Sequence, residues 1–187
     1  MTFRNTTNSW GALSKALHWL IVLLIINQWV IAERADALPL GLAKLQVLAW
    51  HKSFGITILG LAVIRLLWRW MNPTPDLRAE TKPWERVLAK LTHVLLYALI
   101  FAMPLTGWMM SSAKNFPVSW FRLFQLPDLV QPDEAMFHRM QDLHHLLFKI
   151  LVGVALLHIA GALKHHFVDR NDVLKRMLPF GGKSENP

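Results

Sequence analysis

The chain has 187 residues, is 53% hydrophobic and 17% charged, and carries a formal net charge of +8 with no cysteine. That length suits one compact domain. The missing cysteines exclude disulfides, thiolate-held iron–sulfur clusters and thioether-linked haem, so any buried metal chemistry must rest on His, Met or carboxylates.

A helix crossing a hydrocarbon core needs roughly 20 mostly apolar residues, and four segments meet that length. The first covers about 14–33 and contains "ALHWLIVLLIINQWVIA". It is too long for a signal core and is followed by no small-residue cleavage site, so it is expected to be a retained span. The second covers about 45–70 and carries His51 and Arg65. A Pro-rich, charged turn, "MNPTPDLRAETKPWERV" (71–87), ends it and restarts the third span, about 87–110, with His93 and Pro104. Pro104 is expected to kink that helix, which neighbouring helices tolerate in a membrane. The connection at 111–140 mixes Trp120, Phe121 and Phe124 with Pro117, Pro127 and Pro132. It reads either as a short interfacial helix capping a site beneath it or as an unordered loop with an aromatic belt. The fourth span covers about 141–166 and includes "HHLLFKILVGVALLHIAGALKHH" (144–166).

The basic residues are distributed unevenly along this plan. Thirteen Lys and Arg lie in the N-terminus, the second connection and the tail, against five (Arg34, Lys44, Lys114, Arg122 and Arg139) in the first and third connections. Lys/Arg bias sets membrane orientation, so both termini are expected in the cytoplasm. The positive charge is a topology signal and gives no reason to expect nucleic acid. The expected fold is all-α: a single-domain integral membrane up-down four-helix bundle.

Nine histidines is a high number for this length, and imidazoles inside a bilayer are costly enough to imply a function. With the topology above they form two layers. His51 and the neighbours His144 and His145 lie near the outer ends of their helices; His18, His93 and His158 lie in the inner half. His144 and His158 are fourteen residues apart, about 40° short of four helical turns and roughly 21 Å along the axis, so they share one face. His145 lies about 100° away from His144, so only one of the two can share the face of His158. Zinc would want its ligands clustered at one point, and a proton relay would usually bring Asp or Glu into the spans. Paired axial imidazoles on haem, a large flat apolar group suited to a bundle core, fit both layers. His51 pairs with His144 in the outer layer, with His145 in reserve. In the inner layer depth alone leaves His18, His93 and His158 open.

Arg65 follows His51 by fourteen residues and so points from the same face at inner depth. It serves either a haem propionate or quinone carbonyl or a snorkelling position at the helix end. Gly55, Gly60, Gly153 and Gly161 either make room for a macrocycle or permit close helix packing. His138, His165 and His166 lie near helix ends and read as interfacial, with the last two within reach of propionates or quinone headgroups.

The stretches "KALHWL" (15–20), "WHKSFGITIL" (50–59), "LTHVLLYALI" (91–100), "LHHLLFKILVGVALLH" (143–158) and "LKHHFVDRNDVLKRML" (163–178) together resemble the bacterial cytochrome b561 family, in order and over nearly the whole chain. The outer loop matches least. The resemblance implies a di-haem b-type cytochrome of the bacterial inner membrane, in which helix four gives one ligand to each haem and helices one and two give the others. That selects His18 with His158 inside and His51 with His144 outside. It leaves His93 as a non-ligand beside the inner haem, hydrogen-bonded to a propionate or to quinone. It also implies electron transfer from a periplasmic donor such as superoxide to ubiquinone, or else an electron-relay anchor subunit for a partner dehydrogenase or periplasmic redox protein. Lys114, Arg122 and Arg139 either steer a small anion or are ordinary loop charge, balanced by Asp128, Asp133, Glu134 and Asp142.

Overall fold

The computed structural model describes residues 2–75 and 82–179. Arg78 in the charged turn and Lys183 in the tail lie outside the described residues. The order of elements is α1 (Ala12–Ala37), α2 (Leu42–Trp70), α3 (Pro83–Ala113), β1 (Ser119–Trp120), β2 (Phe124–Gln125), α4 (Glu134–Phe167) and a short α5 (Val173–Met177). All four long helices are apolar and long enough to cross a membrane. Their outward faces carry large apolar side chains, such as Leu91 at 61%, Val94 at 68% and Leu156 at 62% exposure. A water-soluble surface rarely carries so continuous an apolar patch, whereas lipid requires one.

Each helix runs past its apolar window, and the end signals explain where it stops. Pro83 occupies the first turn of α3, where its missing N–H costs nothing. The Glu85 carboxylate there accepts from the Lys82 N–H at 3.4 Å, one half of a capping box. At the other end Asn115 adopts φ 58°. Its N–H bonds the Ser112 carbonyl and the Phe116 N–H bonds the Ser111 carbonyl, the two reversed bonds of a Schellman stop. Asp133 caps α4 by accepting the Met136 N–H at 2.8 Å. The fourth helix therefore begins at Glu134, and His144 lies nearly three turns inside it rather than at its start.

The chain divides into two compact units, each containing a segment of every long helix. The first comprises Met1–Leu20, Val63–Tyr97 and Leu151–Pro187; the second comprises Ile21–Ala62 and Ala98–Ile150. In the first unit the buried Asn5 acts as a hub. Its carbonyl oxygen accepts from the Gly11 N–H (2.9 Å) and the Ser14 hydroxyl (2.6 Å), and its amide donates to the Pro73 carbonyl at 3.0 Å. Beside it, Lys15 donates to the Leu178 carbonyl at 3.1 Å, Trp19 to Met177 at 2.9 Å, and Arg176 to Asn8 at 3.1 Å. The N-terminal segment is thus fastened to α5.

In the second unit the connection after α3 is neither an interfacial helix nor an unordered loop. It is an antiparallel hairpin pairing Ser119 with Gln125 and Trp120 with Phe124. Its turn places Phe121 at φ 46° and Arg122 at φ 61°, with the Leu123 N–H on the Trp120 carbonyl at 2.9 Å. Positive φ at both central positions gives the type I′ geometry that suits a hairpin, though Asn and Gly usually supply it. Contacts with α2 hold the strained turn. Ser53 Oγ accepts the Phe121 N–H at 3.0 Å, and Trp120 Nε1 donates to Thr57 Oγ1 at 3.1 Å. The Phe121 ring packs edge-on against Trp50 and Phe54, with centroids 5.6 and 5.2 Å apart. Residues spread over about two turns of α2 beside His51 therefore carry the hairpin.

Gly11 has no room for a side chain. A Cβ there would lie 2.5 Å from the Arg4 carbonyl carbon and the Phe3 oxygen, both backbone atoms that cannot swing away. Gly11→Ala should therefore cost about 1–3 kcal/mol, the usual range for overpacking. A thermal melt of the detergent-purified protein should show the midpoint several degrees lower; an unchanged midpoint would mean that the N-terminal segment carries none of the stability.

Candidate functional site

In the second unit α2 and α4 bring two imidazoles face to face. The His51 and His144 ring centroids are 6.3 Å apart and the ring planes are turned 70° from each other. Metal–imidazole bonds are about 2 Å long, so a metal held between two ring nitrogens sets the centroids about 6 Å apart, allowing about 1 Å from each nitrogen to its ring centre. The observed spacing matches that arrangement. His145 is exposed and has no part in the pair. Helix α3 closes the site from a third side without contributing a histidine. Thr106 Oγ1 lies 3.0 Å from His144 Nδ1. At Gly107 an added Cβ would lie 3.2 Å from His144 Cε1. Neither residue stands out in the sequence, since a Thr–Gly pair two residues after a helix proline reads as ordinary membrane-helix packing. Lys52, next to His51, donates to the Ser111 hydroxyl at 3.0 Å and the Pro117 carbonyl at 3.2 Å, which adds another tie between α2 and the hairpin connection.

The first unit gathers three imidazoles. His18 on α1 and His158 on α4 have centroids 6.4 Å apart with planes at 75°. His93 on α3 lies 5.2 Å from the His158 ring. That is about 1 Å short of the two-bond span, so the geometry suits a metal between His18 and His158 better than one between His93 and His158. Arg65 on α2 is within electrostatic reach of all three rings. Its Nε donates to the Tyr97 hydroxyl at 3.1 Å, while its Nη1 is buried without a hydrogen-bond partner. Arg69 shares the Tyr97 ring, with its guanidinium 5.9 Å from the centroid. The guanidinium is half-buried, and its spare buried donor is poised for an anion.

The glycines separate by the same measure. Among the described residues, no atom of another helix lies within 4 Å of a Cβ built at Gly60, Gly153 or Gly161, so close helix packing is not what requires them; at Gly55 the nearest such atom is the Gln28 amide nitrogen, at 3.2 Å.

Further along α4 a charged cluster forms. Lys164 lies 2.6 Å from Glu85 and 2.8 Å from Asp169, and His165 Nδ1 lies 2.7 Å from Asp169. The ligating atoms of Glu85, His165 and Asp169 fall within 4.8 Å of one another. The Lys164 ammonium already supplies the cation there, so the carboxylates have no need of a metal ion. His166 Nδ1 is buried without a partner. On the hairpin connection, Lys114 pairs with Glu134 at 2.7 Å, which leaves Arg122 and Arg139 as its exposed positive charges.

Comparison with known proteins supplies the chemistry that these pairs imply. The prokaryotic cytochrome b561 family profile matches residues 9–180. Cytochrome b561 homolog 2 of Escherichia coli (strain K12) is 34% identical over 194 residues, covering 100% of this chain and 98% of the relative. The probable superoxide oxidase CybB of Yersinia pestis is 29% identical over 170 residues, covering 91% and 96%. Cytochrome b561 homolog 1 of Escherichia coli (strain K12) is 27% identical over 165 residues, covering 87% and 93%. The chain belongs to the prokaryotic cytochrome b561 family. It is therefore a multi-pass bacterial membrane protein of electron transfer, and b-type haem is the cofactor that membership implies.

The charged cluster sets an acid limit on stability. Hydrogen bonding from Lys164, reinforced by His165, holds the Asp169 carboxyl below its ordinary value of 3.8 against a smaller desolvation cost. A depressed carboxylate stabilises the fold above its unfolded-state pKa and loses that contribution as pH falls through the folded-state value. Asp169→Asn should thus lower the melting temperature at pH 7, with the gap from wild type closing below about pH 3.8. A gap that persisted in acid would assign the effect to packing.

Proposed function

We propose that this cytochrome carries two b-type haems and passes electrons across the bacterial inner membrane, from superoxide on the periplasmic side to ubiquinone, with both termini in the cytoplasm. The observation that carries the reading is the pair of matched imidazole spacings, 6.3 Å for His51 with His144 and 6.4 Å for His18 with His158. Each fits one bis-histidine iron, and α4 contributes one histidine to each. The name of the Yersinia pestis relative supports superoxide as the donor.

The haem iron supplies one-electron exchange between its ferric and ferrous states. The chain's residues supply the rest. His51 and His144 would hold one haem; His18 and His158 would hold the other. The free Nη1 of Arg65 offers a charge-assisted hydrogen bond to a propionate carboxylate, while Tyr97 fixes the opposite edge of the guanidinium. His93 lies 5.2 Å from the His158 ring, short of the spacing for two imidazoles in line across one metal, and serves instead as a hydrogen-bonding group to a propionate or to bound quinone. Apolar helices on every side keep water and ions from the sites. On the periplasmic side Arg122 and Arg139 provide what steering field there is, since the Lys114 charge is neutralised by Glu134. The overall reaction balances as two superoxide anions giving two O₂ and two electrons, which reduce one ubiquinone with two protons to ubiquinol.

Two measurements test this. The pyridine haemochrome of the purified protein should give two haems per chain, falling to one in His144→Ala with the other haem's spectrum intact. Two haems in that variant would reject the assignment and direct attention to His145. Stopped-flow mixing of the oxidised protein with superoxide should reduce it at a rate approaching the diffusional ceiling of about 10⁸–10⁹ M⁻¹s⁻¹. No reduction would remove superoxide as donor and leave the electron-relay subunit as the better reading.

A further inference from the structure

The two imidazoles of the second unit are held differently. His51 Nδ1 is buried with no hydrogen-bond partner. His144 Nδ1 lies 3.0 Å from the Thr106 hydroxyl. The direction of this bond can be deduced. A hydroxyl has one proton to donate, and Thr106 Oγ1 lies 2.9 Å from the Ala102 carbonyl and 2.9 Å from that of Met103. Its proton is therefore directed into its own helix, and its lone pair faces His144. That contact selects a tautomer: Nδ1–H donating to Thr106 on α3, with the Nε2 lone pair left free for iron.

The neighbouring residue protects that arrangement. At Gly107 a Cβ would meet His144 Cε1 at 3.2 Å and Nδ1 at 3.6 Å. A side chain there would press on the ring, which would have to give by a few tenths of an ångström. One turn of α3 thus supplies the acceptor and the clearance for a ligand that belongs to α4.

We infer that Thr106 is a positioning residue that fixes the His144 tautomer and strengthens its donation to iron, and that Gly107 provides the clearance this requires. The inference rests on the reading of His144 as an axial ligand. Polarising an imidazole through its distal N–H raises its basicity as a ligand, which favours the ferric state and lowers the reduction potential. His51 has no such partner, so His144 is the stronger donor of the two, and Thr106 tunes one haem while leaving the other alone. Ser/Thr hydroxyls often bond back to their own helix for purely structural reasons. A structural role of that kind would leave the potential unmoved.

Optical redox titration of the purified, haem-loaded protein separates the possibilities, with haem content read in parallel. Thr106→Val keeps the shape and removes the hydroxyl. It should retain two haems and raise the potential of only the haem that His144→Ala loses. The equilibrium constant for reduction should change by up to tenfold, which is 59 mV for one electron. Thr106→Ser restores the hydroxyl and should return that potential to wild type. Should the valine not hold both haems, Thr106→Ala carries the same expectation with less bulk. Gly107→Ala should alter the low-spin electron paramagnetic resonance signal of the same haem and not the other. An unchanged potential without the hydroxyl, an equal shift in both haems, or a serine variant that behaves like valine would overturn the inference. Those results would leave the ligand assignment standing, because that assignment fails only if His144→Ala keeps two haems.

Discussion

An imidazole buried in an apolar helix bundle is tolerated only when something takes up its nitrogens, and both units of this protein are arranged around that requirement. In each, a histidine of α4 meets one from a neighbouring helix at a separation that leaves space for a metal. The remaining polar groups complete these meetings. Thr106 takes the far nitrogen of His144. In the other unit Arg65 keeps a buried donor unmatched by protein, which is costly unless a bound anion satisfies it. An apolar core alone would not explain why these particular polar atoms are buried.

The two units solve their closure differently. The second is closed by a hairpin held through hydroxyls: Ser53 and Thr57 on α2 receive the Phe121 N–H and the Trp120 indole N–H. These contacts fix a turn whose backbone neither Phe nor Arg favours, at a local strain of order 1–2 kcal/mol per residue in the left-handed region. The first unit is closed by the N-terminal segment, folded around Asn5 and bonded to the carbonyls at the end of α5. Side-chain-to-backbone bonds do most of this work, as they must where loops meet helix ends.

The four spans were legible because twenty apolar residues have few other fates, and the fourteen-residue spacing in α4 was legible because helical geometry is rigid. Their ends were less so. Asp133, three residues before Met136, is a readable cap, but hydropathy alone places the start of α4 later than Glu134. The hairpin was not legible, since Phe121 and Arg122 give no turn signal and their conformation is imposed by contacts with α2. Depth could not order His18, His93 and His158; the family resemblance selected His18, whose ring lies 6.4 Å from that of His158, against 5.2 Å for His93. Thr106 and Gly107 escaped notice because their role exists only relative to a residue 38 positions away.

The fastening of the N-terminal segment has a consequence in time. Its bonds from Trp19 to Met177, Lys15 to Leu178 and Arg176 to Asn8 span 158, 163 and 168 residues. No ribosome can offer those partners together until about 160 residues beyond the first helix's start have been made. At 5–20 residues per second the first helix waits roughly 8–30 s between its own synthesis and the arrival of the residues that seal it. The unit that contains His18 is therefore the last to close, and the earliest helix to be made depends on the latest.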